Sequence, residues 1–487
     1  MLFPIVPPRH FPIPGGAGYG FAGAERRVHP PIGGAARGVD KRMSEATAAA
    51  DSGRGWLLSG HPAGFWYVFW AELAERASFY GMRVLLALYL VNVFQFREDD
   101  SSSIVQLFTA ACYLTPLLGG FIADHFLGRY RTIVWFCIPY IAGHLILGYF
   151  RQESFLFLAL GLLALGSGTI KPNTSTLMGL MYQRLGKGHL LDDAFAYYYA
   201  AINIGSTIAS LGLPLVQVYY GYEVALMIPA LLIAVSMLVF MTGRRHFPPE
   251  AIGWRGVEKK SALQKKEERA VLSRLIGIFA LVAVYWFLAD QATSTWVFMA
   301  QDSMNLELWP FGVSITAAQT QGLNPLIIIC MTPVLAWGWR RLDAARGRPL
   351  LPTDKMVIGF VLTVIALAVM ATAGLLAGEG RVSIWWLVAA TVCITVAELC
   401  ISVVGLQLSF MVAPMSMKSQ ITALFLLTSF FGDSFGALFD QLFGRISDAL
   451  YFGVQAAMAA AATWAMIRVA KGLLNRERRE IRAETGA

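Results

Sequence analysis

Long apolar runs dominate the chain and recur at a spacing that suits membrane-crossing helices. They fall near 64–96, 104–123, 131–150, 155–178, 194–216, 222–241, 273–300, 318–339, 356–377, 384–412, 419–440 and 448–468. A bilayer core needs about 20 such residues in helical form. Backbone polar groups cannot be left unpaired in lipid, so helices or closed barrels are the only spanning solutions. The alternating pattern of a barrel strand is absent, and the prediction is an all-α membrane protein with twelve transmembrane helices. A charged linker at 244–272 separates six runs from six, which predicts two six-helix bundles, 64–243 and 273–468, around a cavity near the bilayer midplane. Transport by alternating access is the use that such an arrangement implies.

The flanks are of different composition. Residues 1–42 hold seven prolines and eight glycines, and their apolar patch, MLFPIV, is broken by Pro4, which is too short for a signal peptide. A disordered tail is expected over 1–55, with Met43 as an alternative to Met1 for the start of translation. The segment 469–487 reads as a basic tail.

Charge sets the orientation. Of the 487 residues 56% are hydrophobic and 14% charged, and the net charge is +8. The loops on one side of the membrane, together with the tail, carry 25 Lys and Arg, whereas the other side carries Arg97, Arg151, Arg381 and Arg445. The positive-inside rule then places both termini in the cytoplasm, and the expected location is the plasma membrane, of bacterial inner-membrane type. The rule also accounts for the basic balance without nucleic acid. All five cysteines fall in apolar runs, where a free thiol acts as a small hydrophobe, and their spacing suggests neither disulfides nor a metal.

Against this background AELAERASFYGMR (71–83) stands out. Glu72, Glu75, Arg76, Tyr80 and Arg83 are spaced to share one helix face. A lone charge at the membrane centre costs about 2.5–3.5 kcal/mol on insertion scales, so the stripe must look into the bundle and find partners. Two neighbouring acids beside an arginine make a cluster able to take up or release one proton. A second cluster, GGFIADHFLGRYRTI (119–133), places Asp124 and Arg129 at a basic turn, and it resembles the loop signature of the major facilitator superfamily, where it acts as a conformational latch.

The stripe resembles the ExxER signature of the proton-coupled oligopeptide transporters, a family of that superfamily, with the family's FYGMR continuation. CYLTPLLGGFIAD (112–124), GSGTIKPNTST (166–176), YYYAAINIGS (197–206), WFLADQATSTW (286–296), LNPLIII (323–329) and AELCISVVGLQLSFMVAP (397–414) are similar to further helices of the family, in register. The resemblance spans about 64–468 and implies the major facilitator fold. It implies that Glu72, Glu75, Arg76, Lys171 and Asp290 couple protons to transport. Arg76, Tyr80, Arg83, Tyr113 and Lys171 would surround a peptide carboxylate. Asn203, Asn324 and Glu398 would hold the amino end and backbone, with Ser402 one turn beyond Glu398. Asp124 and Arg129 would form the gating loop.

The residues themselves agree in outline. Cations outnumber acids in the first half (Arg76, Arg83 and Lys171 against Glu72 and Glu75), while lone acids, Asp290 and Glu398, stand in the second. A zwitterion would lie across the interface, guanidinium to carboxylate and acid to ammonium. Fixed clamps on a chain of about 3.3–3.6 Å per residue admit two or three residues. The expected activity is therefore proton-coupled import of di- and tripeptides by a monomer in the lipid bilayer. Protons are the coupling ion, and no cofactor, metal or enzymatic step is expected. The alternatives are a proton-coupled carrier of another anionic or peptide-like solute, such as nitrate or a peptidomimetic drug, and a drug/proton antiporter; a non-transporting peptide sensor would share the same pocket. Nothing resembles a nucleophile elbow or phosphate loop.

Some positions depart from the pattern. Residue 77 is Ala, and Gln106 stands where animal members carry a histidine. His144 is expected to be an interior residue rather than a proton relay. In FFGDSFGALFD (430–440), Asp433 is either an added proton site or an acid near a helix end or cavity. The aromatic run 66–70 reads as an interfacial belt, and Trp296 as either a pocket lid or packing.

Overall fold

A computed structural model describes residues 60–250, 252–253, 261–347, 350–378, 380–412 and 417–485. The expectations for 1–55, Met43 included, and for 254–260 in the linker lie outside the described residues. Among the described residues eleven apolar helical segments are long enough to cross a membrane. One of them, Gly188–Thr242, is two helices joined at Gly221, whose φ of 81° breaks the helix. The membrane helices are thus α1 (Ala63–Phe94), α2 (Glu98–Leu127), α3 (Arg129–Tyr149), α4 (Glu153–Arg184), α5 (188–220), α6 (222–242), α7 (Glu268–Ser303), α8 (Ala318–Arg346), α9 (Pro352–Ala377), α10 (Trp385–Ser409), α11 (Gln420–Leu442) and α12 (Asp448–Gly472). The ends that carry most of the Lys and Arg, where α2 meets α3 and α4 meets α5, are called the basic end below.

Of the boundaries that differ from the sequence reading, three have a local reason. The helix that becomes α7 starts at Ala262, inside the predicted linker, because Ser261 and Gln264 form a capping box and the following Lys, Glu and Arg residues favour helix. The α12 helix continues to Thr485 through the predicted tail. The α2 helix begins at Glu98, since Glu98, Asp99 and Asp100 in its first turn complement the helix dipole.

The two halves repeat one packing plan. In the first, α1 packs on α5 and α6, and α3 on α4 and α6; in the second, α7 packs on α11, and α9 on α10 and α12. The same device fixes the equivalent contacts. Gly205 of α5 lies so close to α1 that an added Cβ would stand 2.4 Å from the carbonyl oxygen of Leu73. Gly432 of α11 lies against α7 in the same way, with 2.4 Å from an added Cβ to the carbonyl oxygen of Ala283. Small residues at these crossings let the backbones approach, as membrane helices require. The halves meet each other along α2 against α11 and α5 against α8. Outward-facing Trp135, Phe157, Ile208, Leu231, Leu238 and Trp464 are exposed, which leaves an apolar surface suited to lipid.

At the opposite end two short strand pairings lie within the second half. Strand β1 (Met304–Asn305) runs parallel to β4 (Val382–Ser383), and β2 (Glu307–Leu308) is antiparallel to β3 (Val313–Ser314). Two helices are irregular at mid-membrane. The α7 helix tightens into a 3-10 turn at Asp290–Thr293, and α10 widens into a π turn at Leu399–Val403, directly after Glu398. Such departures are tolerated at membrane depth only inside the protein or beside a cavity.

Overpacking a tight crossing typically costs about 1–3 kcal/mol. Gly205→Ala and Gly432→Ala are each expected to lower the unfolding free energy of the detergent-purified protein by that amount in chemical denaturation. Gly120→Ala serves as the control, because an added Cβ there meets nothing within 4 Å.

Candidate functional site

A cavity lies between the halves, lined from α1 by Arg76, Tyr80 and Arg83, from α2 by Tyr113, from α4 by Lys171 and from α5 by Asn203. The second half contributes Asp290 from α7, Asn324 from α8 and Glu398 from α10. Its empty space, with the mouth and the open solvent there included, is about 1230 Å³. The structure therefore gathers into one cavity nine residues that lie up to 322 positions apart in the chain, Arg76 to Glu398.

The stripe on α1 is partitioned by its pairings. The Arg76 guanidinium donates to Glu75 and lies 3.3 Å from a carboxylate oxygen of Glu72, while its plane approaches the Phe79 ring. Glu72 and Glu75 do not line the main cavity. They sit behind Arg76, beside a small void shared with Cys137, Thr174 and Ser236 from α3, α4 and α6. All three groups are 1–2% exposed, so each depends on the others for charge compensation. Arg76 thus connects a buried acid pair to the cavity wall.

One turn pair further along, Arg83 reaches across to the second half. Its Nη2 donates to Asp290 at 3.0 Å and to the Thr293 hydroxyl at 3.3 Å. Opposite, the Asn324 amide donates to Glu398 at 3.0 Å and to the Thr395 hydroxyl at 3.1 Å. The Lys171 ammonium stands 5.3 Å from the centre of the Tyr113 ring, which in turn faces Trp286 across the interface. Asn203 donates to the carbonyl of Tyr199 one turn back and presents its remaining polar surface to the cavity. The result is a cavity with cations on one wall and a carboxylate–amide pair on the other, a geometry that suits a short zwitterion.

Many polar links between the halves lie away from the basic end. Besides Arg83–Asp290 they include Arg445 to Asp99 at 3.1 Å, Gln441 to Ser103 at 2.8 Å, Ser103 to the carbonyl of Ala437 at 2.7 Å, Gln319 to the carbonyl of Leu211 at 2.9 Å, and Gln321 to that of Val84 at 3.1 Å, with a longer contact from Gln441 to Asp100. This end is sealed.

The predicted gating pair forms at the basic end. Arg129 donates to Asp124 at 2.6 Å and also to Glu250 at 2.9 Å, and Glu250 accepts from the Tyr130 backbone at 3.2 Å as well. Glu250 lies in the linker, far from the loop motif in sequence, and so was not nominated.

One expectation needs correction. Ser402 does not line the cavity: the π turn that follows Glu398 carries it into the buried interior, 2% exposed. Trp296 lines the cavity while remaining 1% exposed, so the two roles weighed for it coincide. His144 is interior as expected, its Nε2 3.0 Å from the Ser78 hydroxyl and its ring stacked on Tyr140. Residues 66–70 contribute nothing to the cavity.

Sequence reasoning missed Tyr199, Tyr285, Trp286 and Gln321, all of which line the cavity. Helical spacing carries the signal for two of them, since Tyr199 precedes Asn203 by one turn and Trp286 precedes Asp290 by one turn. Gln321 sits in a 3-10 turn at the start of α8 and Tyr285 lies off the Asp290 row, so spacing alone does not reach them.

Comparison with known proteins agrees with this architecture. The chain is 25% identical over 456 residues to the uncharacterized transporter YclF of Bacillus subtilis, covering 81% of this chain and 90% of that protein. It is 27% identical over 463 residues to the di-/tripeptide transporter of Lactococcus lactis, covering 81% and 92%. The crystal structure of the POT family transporter PepTSo superimposes with a TM-score of 0.76 at 26% identity, covering 86% of this chain and 99% of that one. The sequence model of the POT family matches residues 130–255 and 251–458, which is well over half of the chain and takes in parts of both bundles. The protein is a multi-pass membrane transporter of major facilitator fold and belongs to the POT family.

Proposed function

We propose that the protein is a proton-coupled symporter that imports di- and tripeptides across the plasma membrane by alternating access. One observation carries the reading: Arg76, Arg83 and Lys171 from the first half and Glu398 with Asn324 from the second converge on one cavity. A peptide carboxylate is matched by the cations, and its ammonium by Glu398. Backbone groups between them meet Asn203 and the aromatic walls, which hold shape without selecting one side chain. The di-/tripeptide transporter of Lactococcus lactis supports the same substrate class. Free amino acids are too short to reach both walls.

The positive-inside rule puts the basic end, and both termini, in the cytoplasm. The sealed end is then external and the conformation inward-facing. Protons are the coupling ion, and the monomer in its bilayer needs no cofactor or metal. Glu72 and Glu75 hold Arg76 when ionised. Protonation of Glu75 frees the guanidinium for the peptide carboxylate, so proton and peptide each favour the other's binding, reciprocally. Asp290 ties the same chemistry to the external seal through Arg83. At the cytoplasmic end the Asp124–Arg129–Glu250 cluster acts as the gating latch, joining the α2–α3 loop to the linker.

Purified protein in proteoliposomes is expected to accumulate radiolabelled dialanine when an inward proton gradient is imposed, with competition from tripeptide and none from free alanine. Folded protein that shows no uptake would direct the search to other anionic or peptide-like solutes. Glu75→Gln is expected to depress gradient-driven accumulation far more than counterflow exchange; equal loss in the two assays would remove Glu75 from coupling. Glu398→Ala should weaken free-amino peptides more than N-acetylated ones, by roughly tenfold or more, since a hydrogen bond to a charged group is worth about 1.5–3 kcal/mol. In competition assays, Lys171→Ala should erase the preference for a free carboxylate over a C-terminal amide.

A further inference from the structure

The coupling scheme above leaves one buried acid unused. Asp433 of α11 is 0% exposed, and no donor meets either of its carboxylate oxygens. Here α11 packs against the Asp290–Thr293 turn of α7, and the acid that approaches Asp433 is Asp290, whose own Oδ2 also lacks a donor. Its other titratable or charged neighbours are Arg83 on α1, Cys112 and Tyr113 on α2, and Asp440 one side further along α11. Gln106 of α2 packs nearby against Gly436, and its amide is likewise buried without a partner.

The charges do not balance as they stand. Arg83 supplies one positive charge and gives its hydrogen bond to Asp290. Asp440 accepts through Oδ1 from Gln291 at 2.7 Å and Tyr451 at 2.9 Å while its Oδ2 has no donor, so it adds a further buried acid and brings Asp433 no counter-charge. A second carboxylate beside Asp290 would be an uncompensated buried anion, which is far more expensive than a neutral acid. Two acids that face each other in such surroundings cannot both ionise, and they hold one proton between them.

We propose that Asp433 is a proton-binding site, sharing one proton with Asp290 beneath Arg83 at the junction of α1, α2, α7 and α11. In the conformation described, the proton resides on Asp433, and its O–H is directed to Asp290, which remains anionic for Arg83. When α1 and α7 separate, Arg83 withdraws, Asp290 loses its counter-charge, and the shared proton recentres toward it while the pair as a whole gains affinity for another. The role in transport rests on the proton-coupled reading; the proton itself is measurable without transport.

Difference infrared spectroscopy of the purified full chain, titrated through neutral pH, reads protonated carboxyl groups directly. The expected result is a protonated-carboxyl band in the unmodified protein that Asp433→Asn removes. Asp290→Asn should leave the band but move its titration midpoint down by more than about one pH unit, a tenfold change in proton affinity, because Arg83 is then free to serve Asp433. A spectrum that Asp433→Asn leaves unchanged would overturn the proposal. So would an unmoved midpoint in Asp290→Asn, which decides the matter if Asp433→Asn fails to fold. A band that behaves as expected in protein that shows no gradient-driven dialanine uptake would refute the symport reading and support the proton site.

Discussion

A charge held at membrane depth must be answered by another group within reach, and much of this structure follows from that requirement. The lipid outside and the close-packed helices inside both have low dielectric constants, so no buried ion is stabilised by solvent alone. Arg76 is answered by Glu72 and Glu75, Arg83 by Asp290, Glu398 by Asn324, and Asp440 by Gln291 and Tyr451. These pairings decide where helices must face one another. The backbone departs from the α form beside two of them, at Asp290–Thr293 and directly after Glu398.

The scaffold that holds them is a repeated one. Gly205 and Gly432 bring α5 onto α1 and α11 onto α7 through equivalent backbone approaches, so each half is tightly keyed. Polar side chains, by contrast, are distributed unequally on that common plan, with cations concentrated in the first half and isolated acids in the second. A scaffold with like geometry and unlike charge makes an interface that is complementary to a dipolar solute. Because the polar links between the halves cluster at one end, a rocking motion that keeps each half intact needs to break only a limited set of contacts, Arg83–Asp290 and Arg445–Asp99 among them. Rigid halves and a small polar seal are what an alternating-access transporter of the POT family requires.

Much of the architecture is legible in the chain because hydropathy and helical spacing are local properties. The runs of apolar residues fix the helices, 194–216 and 222–241 are already separate runs where the structure breaks at Gly221, and the position of the charged linker marks six and six. The spacing of Glu72, Glu75, Arg76, Tyr80 and Arg83 assigns them to one face, and the shortage of solvent at that depth requires partners for them. Sequence also identifies most of the cavity wall, since polar residues inside apolar runs are few and each needs a reason to be there. What it reads poorly is helix persistence: the starts at Glu98 and Ala262 and the continuation to Thr485 are governed by caps and propensity outside the apolar runs.

Other features exist only once the helices are assembled. Glu72 and Glu75 stand behind Arg76 rather than beside the cavity, although they share its helix face, because α3, α4 and α6 close over them. Ser402 is turned inward by a π turn that no spacing rule anticipates. Glu250 completes the Arg129 cluster from a linker some 120 residues away, and Asp433 meets Asp290 from a helix 143 positions later. By itself the sequence determined the helices, their division into halves and the stripe of charge that must be buried, because each of these depends on residues within a few turns of one another. Tertiary structure alone decided which charge answers which, since that depends on how separate helices cross, and crossing is set by side-chain packing between segments the chain does not place side by side.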